Sequence, residues 1–164
     1  MIEPLSIFDP VEAPLHSWSC VNDGVMGGVS QSEAVIDDHQ YLQWYGHVSL
    51  ARNGGFASVR HHFAGVDLHA YSGFCLLLKG DGKMYKLNLG NQLSSGSPRF
   101  QARFKAYEQY HLVYIPFSCL AASVRGTPVS ATFDPAKLSL LGFLIADAQA
   151  GPFHLTVQRI SAYV

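Results

Sequence analysis

Eight histidines, three cysteines and a small set of carboxylates are the residues of this sequence that could do chemistry. Histidine and cysteine serve as metal ligands, bases and nucleophiles, and two carboxyls flanking one cleft hydrolyse glycosides. Their spacing supports none of these. His61 and His62 are adjacent, so on a strand they point to opposite faces and cannot share an ion. His16, His39, His47, His69, His111 and His154 are isolated. Cys20, Cys75 and Cys119 are odd in number and unevenly spaced, and two lie in apolar, strand-like text. They read as buried reduced thiols, with a disulfide or metal site as the alternative. Asp9, Asp67, Asp81, Asp134 and Asp147 stand at turns or strand ends, where capping explains them. The expectation is a chain with no catalytic residue, no metal and no cofactor, and thus not an enzyme.

The densest stretch is WSCVNDGVMGGVSQS, Trp18 to Ser32. Gly24, Gly27 and Gly28 permit backbone angles that other residues adopt at a cost, and Asn22 and Asp23 favour turns. A phosphate cradle would need G-x-G-x-x-G opening a helix, or G-x-x-x-x-G-K-[ST]. This stretch fits neither, lacks the lysine and opens a strand. It reads as a structured loop, with Met26 an apolar knob and with Asn22, Asp23, Gly27, Gly28 and Ser30 as candidates for a recognition surface, since loops on a rigid scaffold carry binding. Asn53, in the turn Arg52-Asn53-Gly54-Gly55, joins them. Arg125 is suited to bidentate carboxylate recognition, or to tying a loop to carbonyls. Trp18 and Trp44 read as packing residues, with sugar stacking as the alternative.

Short segments must position these groups. Prolines 4, 10 and 14 exclude an early helix, and LSIFD reads as an edge strand. Ser30–Ile36 and Tyr41–Leu50 form a hairpin, the second run alternating with period 2. Strands follow over Phe56–Phe63, Phe74–Lys79 and Met84–Leu89, the last two joined by Gly80-Asp81-Gly82-Lys83 read as a tight hairpin turn. Further strands cover Phe100–Lys105, Tyr110–Phe117, Leu138–Ala146 and Phe153–Gln158. Ser118–Ser130 reads as irregular, and Asp134-Pro135-Ala136-Lys137 as one helical turn with an Asp cap. About nine to eleven strands without a long helix predict an all-β antiparallel sandwich. At 164 residues the chain is read as one domain, residues 1–164.

Composition narrows the partner. Charged residues are 14 % and net charge is −1, which argues against nucleic acid and for a largely neutral surface. No apolar run approaches the ~20 residues of a membrane helix. MIEPLSIFDP has neither a basic n-region nor a continuous apolar h-region, so no signal peptide is expected.

Several segments together are distinctive: VNDGVMGGVS, NGGFASVR, YHLVYIPFS followed by RGTPV, and LGFLIADAQAGPFHLTVQRISAYV. In this order, over residues 18–164, they resemble the complex I intermediate-associated protein family. The resemblance implies a galactose-binding-domain-like β-sandwich, or jelly roll, and a non-enzymatic role assisting assembly of a membrane respiratory complex. It implies a protein client, a compact bacterial-type member without an organelle-targeting extension, and a cytoplasmic location compatible with peripheral attachment at the inner membrane. Asp23, Asp147 and Arg125 fall in its motifs. Two alternatives stand beside it: a carbohydrate-binding module, and an enzyme of unknown reaction.

Overall fold

The structure is a computed structural model that describes residues 2–22, 30–51 and 55–164. Asp23, Met26, Gly27, Gly28 and Asn53 lie outside the described residues. Thirteen strands are described: β1 (Leu5–Phe8), β2 (Ser19–Asn22), β3 (Gln31–Ile36), β4 (Leu42–Val48), β5 (Ala57–Val66), β6 (Gly73–Lys79), β7 (Met84–Gly90), β8 (Arg99–Lys105), β9 (His111–Pro116), β10 (Ala121–Val124), β11 (Thr127–Pro128), β12 (Leu138–Ile145) and β13 (Gly151–Tyr163). All their pairings are antiparallel. One sheet has six strands in the order β3-β4-β13-β6-β9, with β1 added to β13. The other has seven, in the order β11-β10-β8-β7-β12-β5-β2. The all-β antiparallel sandwich expected from the strand–turn pattern is the fold observed.

The two sheets face each other across one packed cluster of buried side chains. Alternation sets its membership: Phe74, Leu76 and Leu78 of β6 and Tyr85, Leu87 and Leu89 of β7 point inward and are sealed from water. Each large aliphatic or aromatic side chain so buried contributes roughly 1.5–3 kcal/mol. β12 (LSLLGFLI) lies between β7 and β5; Leu138, Leu141, Phe143 and Ile145 join the core, while Leu140, Gly142 and Leu144 stand on the outer face of the sheet. At the centre Trp44 meets Phe153 edge-on with ring centroids 4.8 Å apart, and Tyr85 at 6.0 Å. Trp44 is therefore a core residue, not a platform for a sugar.

Three expectations are corrected. Gly80–Lys83 is not a hairpin turn, because β6 and β7 belong to different sheets; the segment carries the chain across the sandwich. Its Asp81 carboxylate anchors the crossing, accepting from Tyr85 O–H at 3.0 Å, from Lys83 N–H at 3.2 Å and from the β13 His154 N–H at 3.0 Å. Burial, reinforced by that carboxylate, pushes the Tyr85 phenol far above its ordinary value and holds it a donor. Asp81→Ala is expected to leave a phenol and two N–H groups unpaired and to lower the urea-unfolding free energy by about 1–3 kcal/mol. Secondly, Ser118–Ser130 is not irregular: β10 and β11 form a small hairpin there, turned by Arg125 and Gly126 with φ of 49° and 83°. Thirdly, the last strand runs to Tyr163, because each half of β13 finds its own neighbour: β4 beside residues 151–157 and β1 beside 160–162.

The helical turn is as expected. Pro135–Lys137 is a 3-10 turn whose cap, Asp134, accepts from Ala136 N–H at 3.0 Å.

Candidate partner-binding surfaces

Asn22 ends β2, the edge strand of the seven-stranded sheet. Its Oδ1 accepts from Ser32 Oγ of β3, the edge of the six-stranded sheet, at 2.7 Å. One side chain thus ties the rims of the two layers. Beside it lies a depression of about 510 Å³ lined by Asn22, Gln31, Ser32, Glu33, Tyr45, Gly46 and His47. Tyr45 O–H donates to Glu33 Oε2 across the β3–β4 pair at 3.0 Å. The hydrogen bond and the charge of Glu33 hold the phenol above its ordinary value. Tyr45, Leu112 and Tyr114 alternate outward on the six-stranded sheet and are 37 %, 48 % and 59 % exposed. The same face carries Glu33 beside Tyr45, and Arg159 in register with Leu77 and Leu112.

Ser30 is only 5 % exposed. Its hydroxyl donates to the Ser49 carbonyl at 3.3 Å and accepts from the Ser49 N–H at 2.9 Å, strapping the chain entering β3 to the chain leaving β4. Asp147 stands at the same end as Asn22, since Asn22 pairs with Ala57 and Ala57 with Ile145. It occupies the β12–β13 turn with φ 62°, and its carboxylate takes Arg103 at 2.7 Å and Lys86 at 3.6 Å. Arg125 is elsewhere. Ser123 pairs with Arg99 and Arg99 with Gly90, which places the β10–β11 turn at the opposite end of the sheet. The structure brings Asn22, Ser30 and Asp147 to one end and leaves Arg125 apart.

Sequence reasoning missed the outer face of the seven-stranded sheet. There Arg60, Gly142, Asn88 and Gln101 follow one another in register across β5, β12, β7 and β8. Gln101 Nε2 donates to Asn88 Oδ1 at 3.0 Å. A second row runs His62, Leu140, Gly90 and Arg99, and a third includes Lys86 and Arg103. The available signal was the alternation of RFQARFK in β8, which places Arg99, Gln101, Arg103 and Lys105 on one side. Nothing local joins Arg60 or Lys86 to it. Arg60, His62, His61, Ser17 and Ser19 border a second depression, of about 370 Å³.

The cysteines, expected to be buried, are half-buried at Cys20 and Cys75 and exposed at Cys119. Burial pushes the Cys20 thiol up, which keeps it protonated and a poor nucleophile. Burial, then the charge of His62, pushes the His61 imidazole down, and its Nδ1 has no hydrogen-bond partner. Among the described residues no three His, Cys, Asp or Glu side chains gather as a metal set.

Two antiparallel sheets sealed face to face, with polar and aromatic surface outside, define the class: a galactose-binding-like β-sandwich built as carbohydrate-binding modules are. The family 11 carbohydrate-binding module of the cellulosomal cellulase Lic26A-Cel5E of Clostridium thermocellum superposes with a TM-score of 0.74 at 13 % identity. The match covers 99 % of this chain and 95 % of that one. A family 30 carbohydrate-binding module gives 0.63 at 15 % identity, covering 99 % and 100 %. An agarase gives 0.63 at 13 % identity, with 98 % of this chain covering 24 % of that one. At such identities the likeness is one of fold. No curated protein sequence matches significantly.

Within that class the chain belongs to the complex I intermediate-associated protein 30 family, whose profile matches residues 8–157. No helix of the described residues is long and apolar enough to cross a membrane.

Proposed function

We propose that the protein is a non-catalytic assembly module that holds a protein client while a membrane respiratory complex is built, working in the cytoplasm or at the inner face of the membrane. The observation that carries this reading is membership of the family over residues 8–157. Its support in the geometry is a place to hold a client: the outer face of the six-stranded sheet, with Tyr45, Leu112 and Tyr114 exposed, running to the depression beside Asn22. Exposed aromatic and aliphatic side chains on a pleated surface give a partner area to bury. Asp147 belongs to this reading as a candidate at the same end as Asn22, and Arg125 as a candidate at the other; Asp23, Met26 and Asn53 stay in it as candidates from the sequence.

A photo-reactive residue at Tyr45 or Leu112, irradiated in native membranes, tests it. A crosslink to a respiratory-complex subunit is expected from these positions, and cells lacking the protein are expected to accumulate an incomplete complex. Normal assembly without the protein, together with binding on a glycan array, would transfer the case to the carbohydrate reading.

A further inference from the structure

Among the described residues, the β2 edge of the seven-stranded sheet carries hydrogen-bond donors that no neighbouring side chain engages. β2 and β5 run antiparallel with Ser19 opposite Arg60. Alternation puts both on the outer face, and Ser17 and His62 stand one step further along that face. These side chains border the depression of about 370 Å³. His61, which also lines it, turns to the inner side by the same alternation, edge-on to Trp18 with ring centroids 5.7 Å apart.

Arg60 is the centre of the group. Its side chain is partly buried, and among the described residues it has no hydrogen-bond or ion-pair partner. The outer-face positions around it are Ser19, Gly142, Ser58 and His62, none of them acidic. Gly142 adds no side chain, so one flank of the guanidinium stays open. Leu140, in register with His62, is sealed from water and gives the site an apolar wall. Burial pushes the Arg60 guanidinium below its ordinary value. A cation drawn partly out of water with no counter-charge gains more from an anion than a fully hydrated one does. The hydroxyls of Ser17 and Ser19 are also without a partner among the described residues.

We propose that the depression bordered by Ser17, Ser19, Arg60 and His62 binds the phosphate group of a small phosphate monoester. The guanidinium supplies a two-pronged fork. The two hydroxyls and the imidazole add single donors from other directions. A planar carboxylate is filled by the fork alone, whereas a tetrahedral oxyanion keeps oxygens for the hydroxyls on the β2 side. The donors span two neighbouring strands and one step along them, which is the footprint of one anionic group and not of a polymer. A volume of about 370 Å³ leaves room for the group that the phosphate esterifies. A soluble ester and a lipid headgroup present this same chemistry. The site lies on the sheet opposite the client surface and does not rest on the assembly reading.

Isothermal titration calorimetry of the intact protein with glycerol 3-phosphate, and flotation with phosphatidylcholine vesicles that contain phosphatidic acid, test the proposal and separate the two sources. Saturable binding of the soluble ester, or flotation that requires phosphatidic acid, is expected, with acetate and glycerol inert. Arg60→Gln is expected to weaken binding about tenfold. Ser19→Glu, which sets a negative charge opposite Arg60 at an exposed edge position, is expected to weaken it similarly, so the outcome does not hang on one variant folding. Lys105→Gln removes one positive charge three strands away and is expected to leave binding unchanged. Failure of both probes, acetate binding as tightly as the ester, binding that survives both edge variants, an equal loss with Lys105→Gln, or tighter binding of single-stranded DNA would overturn the proposal.

Discussion

Gly142→Ala is expected to be among the most damaging single-methyl changes at the described glycines. Gly142 sits within β12, hydrogen-bonded to β5 on one side and β7 on the other. A Cβ at this position would overlap the Val59 carbonyl oxygen outright and stand 2.8 Å from Arg60 Cα. Both obstacles are main chain of the neighbouring strand, so no rotamer change relieves them. The strand must separate from β5 or lose its register. Overpacking in a core commonly costs 1–3 kcal/mol because side chains give way. Here they cannot, and a loss of about 4 kcal/mol or more is expected, a large part of the 5–15 kcal/mol that holds a typical domain. By calorimetry that is a fall in Tm of about 10 °C or more, or recovery only in inclusion bodies. Gly96→Ala is the control: nothing lies within 4 Å of its Cβ position, and stability within about 0.5 kcal/mol of the parent is expected. A parent-like Tm for Gly142→Ala would mean that β5 and β12 are not paired as described.

Trp44→Ala is expected to cost about 3–5 kcal/mol, the range for removing a large buried aromatic ring. Trp44 is fully buried and is held edge-on by Tyr85 and Phe153 from the facing sheet and the adjacent strand. Its deletion opens a cavity bounded by both layers, which collapse cannot fill without moving two sheets. Trp44→Phe separates packing from polarity. The indole Nε1 is buried and has no hydrogen-bond partner among the described residues, so phenylalanine loses volume but also removes an orphaned donor whose desolvation opposes folding. Its cost is expected to be less than half that of alanine in urea denaturation. Equal losses for the two variants would show that the indole N–H has a partner that the geometry does not reveal.

Much of the fold was legible in the residues because period-2 patterning reports directly on one covered face. The alternation of LQWYGHV puts Leu42, Trp44, Gly46 and Val48 on one face, and Leu42, Trp44 and Val48 are buried. Asp134-Pro135 predicts its capped turn because cap and proline act within four residues. The resemblance over residues 18–164 likewise named the family whose profile covers 8–157. Local signals failed where the decision was not local. Gly80-Asp81-Gly82-Lys83 has the composition of a hairpin, yet the chain crosses between sheets there, because Asp81 is satisfied by His154, 73 residues away. Asn22 and Asp147 fall 125 positions apart in the sequence, and only β-pairing through Ala57 and Ile145 brings them to one end.

The sequence by itself determined the layers: which residues are buried, that they form strands, and that the strands make a sandwich, since alternation and turn chemistry act between near neighbours. The tertiary structure alone decided which strand lies beside which. That arrangement separates Arg125 from Asn22 and Asp147, and it assembles a basic face on a chain whose charges sum to −1. The physical reason is that net charge and periodicity are sums along the chain, whereas a binding surface depends on the register of strands distant in sequence.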